Sequence, residues 1–418
     1  MTMTKKIFTV LFIFISIAAT AQVDSSLFKR ILPDTSKPSL SMDAIYNRPF
    51  LNINKTPVSI GGYAETNYQH ISEDGVSDGH EFQFRRLSIF LSSSISKKIK
   101  FLSEIEFEND KDEQLEGKPM EIDIEYAAID VEFNPLLNLR SGIILNPIGS
   151  FNQNHDGPKW EFTNRPVAMT EMLPATFNNA GIGFYGKKYS KDFMFGYEVY
   201  LSGGFDNSII DNDEGKTLLP EAKENPARLS TSSSGSPLVS AKLSFRHNAI
   251  GEIGVSYMGG IYNKWQEEGV KIDDKRSCRV FDIDFNTTLP KLNTNIVAEW
   301  AWVYVQLPTN YNEQFGSRQR GGFIDIVQPV IKREIAGWNN ATINIGARLE
   351  YADWNVGSFK TTGTNKADDL WAITPSLSFR PTPQTVLRFN YLHKRQRDIM
   401  GNPPSTTGGF VLGLSTYF

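Results

Sequence analysis

Glu104, Glu106 and Glu108 stand at every second position of KFLSEIEFE, and Glu121, Asp123 and Glu125 repeat the spacing in MEIDIEYAAIDVEF. In an extended chain successive side chains point to opposite faces, so each triplet sets three carboxylates on one side. Phe101, Ser103, Ile105 and Phe107 take the other. Basic groups hold the same phase elsewhere: Arg86 in FQFRRLSIFLSSSI, Lys242 and Arg246 in LVSAKLSFRH, and Arg348 with Glu350 in ARLEY. Arg380 follows Ser376 and Ser378, and Arg388, Asn390 and Lys394 share a face of TVLRFNYLHKR, while Asp282, Asp284 and Glu299 offset the basic groups of the middle. Two chemistries remain open. An acidic wall facing a basic one sets up a transverse field that orients dipolar solutes and water; alternatively, the charges pair and solvate a wide cavity. Strong anion selection would need a ladder of one sign, since each carboxylate on the path raises the barrier to an anion.

A second constellation lies between Pro147 and Asn178, about 32 residues and far above usual loop lengths. Its first half, FNQNHDGPKWEFTNRP, carries Asn154, His155, Lys159, Trp160 and Arg165, polar enough to line an aperture or to cover a surface. Hydrolysis would require a Ser with a neighbouring His, and of the five histidines His80 and His155 fall in predicted loops, so no enzyme is read here. The one cysteine, Cys278, excludes an internal disulfide and any cysteine-cluster metal site, and no cofactor is implied. With 43 Lys and Arg against 47 Asp and Glu, no basic excess points to nucleic acid.

The elements that must position these residues are strands. Alternating segments recur from VSIGGYAETNYQHI to the terminal FVLGLSTYF, about sixteen in all once the less regular stretches near Gly181 and Ile324 are counted. Their connections alternate between short turns (near Ser96, Asn134-Pro135, KKYSK, HNAI, LPKL, PTP) and longer loops, which is how outer-membrane barrels are built. The stretch IIDNDEGKTLLPEAKENPARLSTSSSGSP reads as a mobile external loop. A secreted sandwich or solenoid would show polar outer faces. Here the apolar face is aromatic in strand after strand: Phe193, Phe195 and Tyr197; Phe281, Ile283 and Phe285; Leu387, Phe389 and Tyr391. Lipid accepts such a face. The expected fold is all-β, a closed antiparallel transmembrane barrel over residues 58–418, its last strand pairing with its first.

Lys5 and Lys6 precede the apolar run IFTVLFIFISIAA, and Ala19-Thr20-Ala21 gives a small-x-small cleavage pattern, so residues 1–21 read as a signal peptide. Its removal takes the formal net charge from -4 to -6. The run is shorter than the ~20 residues a spanning helix needs. Residues 22–57, with prolines in KRILPDTSKPSLSMDAIYNRPFLN, read as a periplasmic extension.

The runs FQFRRLSIFLSSSI, KFLSEIEFE, IDIEYAAIDVEFNPLLNLRSGIILNPIG and NNAGIGFYGKK resemble the phosphate-selective porin O and P family over roughly Val58 to Phe418. The resemblance implies a sixteen-stranded, often trimeric, water-filled pore with one long loop folded inward. The terminal aromatic is similar to the signal read by outer-membrane assembly machinery. The expectation is an outer-membrane diffusion channel for small polar or charged solutes, with lipid, the assembly machinery and those solutes as partners. An anion-selective channel and a secretion or adhesion barrel are the alternatives. The mixed walls argue against carrying phosphate over from the family name.

Overall fold

The computed structural model describes residues 39–51, 57–109, 120–230 and 236–418. The signal-peptide reading therefore lies outside the described residues. Sixteen strands form the wall: β1 (Val58–Glu73), β2 (Glu81–Ser94), β3 (Ile99–Glu108), β4 (Glu121–Asn134), β5 (Leu137–Leu145), β6 (Asn178–Tyr189), β7 (Phe193–Ser202) and β8 (Leu238–His247). The remainder are β9 (Gly251–Ile261), β10 (Ser277–Thr288), β11 (Asn295–Val305), β12 (Arg318–Ile335), β13 (Trp338–Asp353), β14 (Asp369–Thr382), β15 (Thr385–Arg397) and β16 (Ser405–Tyr417). Each pairs antiparallel with its sequence neighbours, and β16 returns to β1 from Tyr417 opposite Tyr63 to Thr407 opposite Glu73. Gly62 and Phe418 exchange two backbone hydrogen bonds of 3.1 and 3.0 Å at this seam. A Cβ on Gly62 would stand 2.6 Å from the Phe418 ring, so only glycine lets that ring lie over the first strand. With β16 paired to β1 the sheet has no open edge.

Alternation sorts the two faces as expected. In β15 Val386, Arg388 and Asn390 are buried while Leu387, Phe389 and Tyr391 are exposed, and in β16 Phe410, Leu412 and Leu414 are exposed against buried Val411 and Ser415. The exposed belt is aliphatic and aromatic all round, stable against hydrocarbon and unfavourable in water. Turns of a few residues join the strands at one end; at the other end lie the long connections, including residues 146–177, 203–237 and 262–276.

Of the places where strand register breaks, two change the lining of the lumen. Between the pairs Glu65–Arg86 and Thr66–Phe84, strand β2 carries an extra residue, Arg85. Between Glu104–Tyr126 and Ile105–Ile124, strand β4 carries Glu125. Each is a β-bulge, which unpairs one residue and resets the faces beyond it. Arg85, which period two assigns to lipid, is therefore buried beside Arg86, and beyond Glu125 the inward positions become Tyr126, Ala128 and Asp130.

Candidate constriction of the lumen

The loop of residues 146–177 does not cover the surface; it crosses the inside of the barrel. Asn152 closes its base, donating to the carbonyls of Asn146 (2.7 Å) and Phe177 (3.2 Å) and accepting from the Phe177 N–H (2.9 Å). On one wall the backbone N–H groups of Ser150 and Phe151 and the Ser150 hydroxyl converge on Glu299 Oε2 at 2.8–3.0 Å. Gly149 makes this approach possible: its φ is +62°, and a Cβ there would meet Glu299 Oε1 at 1.8 Å. Its carbonyl accepts from Lys242 Nζ at 2.6 Å. Further round the wall, on β15, Arg388 donates to the carbonyls of Gly157 and Phe162 (3.1 and 2.9 Å), and Asn390 Oδ1 takes both the N–H and the hydroxyl of Thr163 (2.8 Å each). Arg348 donates to the Asn164 carbonyl (2.7 Å), Arg85 to Asn164 Oδ1 (2.9 Å), and Glu350 accepts the Val167 N–H (2.8 Å). Past that point Ala168, Met169, Met172 and Leu173 enter an apolar cluster with inward residues of β9 to β14, among them Met258, Val280, Ala301, Phe323 and Ala352.

The inward charges predicted from spacing do face the lumen, but most are paired and dry. Glu104 takes Arg48 at 2.6 Å and lies 3.5 Å from His155 Nε2. Glu106 and Glu108 are shared by Arg86 and Arg165. Asp123 pairs with Arg228 (2.5 Å) and Glu125 with Lys223 (3.4 Å). Lys242 pairs with Asp284 (2.6 Å), Arg246 with Glu252 (3.8 Å), Arg348 with Asp325 (2.7 Å) and Arg388 with Glu65 (3.3 Å). Lys394 is half-buried and has no carboxylate partner among the described residues. Of the loop candidates, Asn154 accepts from Lys159 (3.5 Å), which also reaches Asp156 (3.3 Å). His155 is fully buried, its Nδ1 3.0 Å from the Asn152 carbonyl. Two walls of opposite sign facing each other across water do not describe this lumen; pairing within and between wall, loop and N-terminal segment does.

Sequence reasoning missed three groups. The triad Asp130, Arg140 and Glu198 is buried on β4, β5 and β7 (Arg140 to Asp130 2.8 Å, to Glu198 3.3 Å), and the alternation in NLRSG and FGYEVYL carried a signal for its last two members. Arg48 gave no periodic signal. It belongs to residues 39–51, read as a periplasmic extension; the structure places them inside the barrel, Leu40 and Met42 against Tyr185 and Met194, Ile45 against Leu102, Tyr126 and Tyr200. The third group corrects the reading of residues 209–237 as a mobile external loop. Ile209, Ile210, Leu219 and Ala222 are buried in the apolar cluster; these few apolar residues, set without a common period among polar ones, were masked by the composition of the stretch.

Below the loop a cavity of about 390 Å³ lies against Leu40, Trp160, Phe162, Arg246 and Glu252. It shares Glu161, Asn295 and Val327 with a second, about 600 Å³, lined by Lys332, Asn340 and Arg380 towards the short-turn end.

No family model matches the chain. A protein of Aquifex aeolicus (strain VF5), described as uncharacterized, is 30% identical over 174 residues, 42% of this chain; the chain spans 38% of that relative's length. Among solved structures, an anion-selective porin from Comamonas acidovorans superposes with a TM-score of 0.53 at 11% identity, covering 86% of this chain and 99% of the porin. A loop L8 deletion mutant of OmpT, an outer membrane protein of Vibrio cholerae, gives 0.51 at 9% identity over 86% and 99%. The outer membrane channel DcaP of Acinetobacter baumannii gives 0.50 at 12% over 86% and 97%. At these identities the likeness is one of fold, and it reaches the porin barrel without singling out the phosphate-selective family: the chain has the closed, sixteen-stranded antiparallel fold of outer-membrane porins.

Proposed function

We propose that the protein is an outer-membrane channel for small polar or charged solutes, narrowed by residues 146–177. The observation that carries this is the loop itself, rooted between β5 and β6 and fixed on the far side of the lumen by Glu299 of β11, Arg348 of β13 and Arg388 and Asn390 of β15. A barrel that served only as an anchor or adhesin has no need for polar wall groups aimed at an inner loop, whereas a channel needs an aperture whose width and charge are set by rigid partners. Because nearly every inward charge has an opposite partner, the reading includes weak ion selectivity. The terminal Phe418 over Gly62 is the part offered to the assembly machinery, and a homotrimer is the assembly the earlier resemblance suggests.

An anion-selective channel is the second reading, favoured by the four guanidinium groups of Arg85, Arg86, Arg165 and Arg388 near Glu65, against three carboxylates once Glu106 and Glu108 are counted. Catalysis finds less support. Residues 75–79, GVSDG, spell a nucleophile-elbow pattern, yet Val76–Ser77 pairs with Ser72–Glu73 in an exposed ladder and a strand follows, not the helix such an elbow requires. Planar-bilayer conductance under a salt gradient tests the proposal: a reversal potential near zero supports the weakly selective channel, a strongly anionic one the second reading, and absence of conductance removes both.

A further inference from the structure

Residues 39–51 are built unlike anything else in the lumen. They form one short turn, Ser41–Asp43, and among the described residues no member pairs with a barrel strand. The backbone hydrogen bonds of this stretch run within it, from Asp43 to Leu40, Ala44 to Ser41, and Tyr46 and Asn47 to Asp43. The sixteen-stranded wall is complete without it. The segment's described hydrogen bonds to Glu252, Asn286, Lys187, Arg140 and Glu104 run through side chains or the Ser41 N–H. The Ser41 N–H donates to Glu252 (3.0 Å) and the Ser41 hydroxyl accepts from Asn286 (2.9 Å); Asp43 meets Lys187, and Tyr46 meets Arg140. These partners run round the barrel from β10 through β6 and β5 to Glu104 on β3.

The anchoring of the far end is specific. Arg48 is fully buried, its guanidinium 3.9 Å above the Phe90 ring, with Nη2 on Glu104 Oε2 (2.6 Å) and on Asp156 Oδ1 (2.8 Å) and Nε on Asp156 Oδ2 (3.2 Å). One carboxylate belongs to the wall and the other to the constriction loop, so a single side chain ties the segment to both. Tyr417 donates to the same Asp156 (2.7 Å). Leu40, Ser41, Ala44 and Asn47 form one side of the 390 Å³ cavity, with Asn154, Trp160 and Phe162 of the loop on the other.

We propose that residues 39–51 are a displaceable plug, latched by Arg48 to Glu104 and Asp156, and that the passage widens when this segment leaves the barrel through the short-turn end. The proposal rests on the channel reading. Withdrawal breaks side-chain contacts and the backbone bonds of Ser41 to Glu252 and Asn154 and leaves the sheet intact, whereas moving the constriction loop would unmake the larger set of backbone bonds held by Glu299, Arg348, Arg388 and Asn390. The plug is the more easily moved of the two obstructions.

The experiment uses the full mature chain in planar bilayers with Cys278 replaced by Ala, since that buried thiol is the native cysteine. In this background Ser41→Cys with Asn286→Cys lets the segment be tied to the wall by oxidation and freed by reduction. Reduced channels should show events of severalfold higher conductance that vanish on oxidation, and Arg48→Ala should raise the occupancy of the high-conductance level without any redox treatment. Equal conductance in the oxidised and reduced double variant overturns the plug and leaves the channel standing, whether or not Arg48→Ala folds. Absence of conductance in the oxidised, reduced and wild-type proteins alike overturns the channel reading, and the plug with it.

Discussion

Two long connections leave the same end of the barrel and meet opposite fates. Residues 146–177 turn inward and are gripped by wall side chains that are almost fully buried. Residues 262–276 turn outward as a small hairpin, Gln266–Glu267 against Val270–Lys271, and their ion pairs are local: Lys264 with Glu267, Lys271 with Asp274, Arg276 with Asp273. The charge types are the same in both. What differs is the state left behind when a pair breaks. In the hairpin each partner returns to water, which costs little. In the lumen a charge loses its partner where no water replaces it, and the penalty is the desolvation already incurred.

The largest effect should come from Arg388→Ala. It takes from Glu65, whose side chain is 1% exposed, the guanidinium paired with it at 3.3 Å and strips the carbonyls of Gly157 and Phe162 of a donor. Breaking a buried pair costs roughly 3–5 kcal/mol, to be read as a lowered urea midpoint of the detergent-folded barrel. A shift no larger than that of an exposed pair would mean the loop is not held this way.

An apolar version of the contrast should be smaller. Ile148, 3% exposed, packs in the lumen cluster, and Ile148→Val should cost roughly 0.5–1.5 kcal/mol through the methylene removed. Val270, 65% exposed on the hairpin, loses more carbon in Val270→Ala yet should leave the midpoint unmoved. Equal shifts for the two would erase the distinction between the loops.

Much of this was legible in the sequence, for a reason the wall makes plain. A lipid belt and a lumen impose period two on every strand, so Glu104, Glu106, Arg348 and Arg388 could be assigned inward by counting. Counting fails where the backbone inserts a residue. Nothing in RRLSIF announces that Arg85 is the bulge, and the reset at Glu125 hid Asp130. Ion-pair partners were less legible still, because Arg48 and Arg228 come from stretches with no strand period, and their partnership with Glu104 and Asp123 exists only once the barrel closes.

The pH dependence sharpens the comparison further. Burial disfavours the charged imidazole of His155, and the Glu104 carboxylate 3.5 Å away, with help from Asp156, outweighs it, so His155 takes up its proton above its ordinary value of 6.5. The stabilisation this gives the loop is fully present below that value and is lost as pH rises through the raised one. The wild-type midpoint should fall relative to His155→Gln as pH rises from 6.5 through the raised value. Parallel curves for the two proteins over that range would remove His155 from the anchoring.

The smallest effect is expected on the hairpin, although its electrostatics look strong. The Arg276 guanidinium, hydrogen-bonded to both Asp273 oxygens, and the Asp274 N–H hold the Asp273 carboxyl down to about 2. By linkage a carboxyl depressed on folding would stabilise the protein above its ordinary pKa and lose that contribution as pH falls through the lowered one. The condition for any such contribution is that unfolding separates the pair. Asp273 and Arg276 are three residues apart in a loop that is exposed already, so the contact forms from local chain geometry and survives when the barrel comes apart, and mobile ions screen it in both states. Asp273→Asn should therefore leave the urea midpoint and its acid limb where the wild type has them, at low salt and at high. A loss of stability comparable to that of Arg388→Ala would show that the hairpin is coupled to the wall, and that exposure does not separate the two loops.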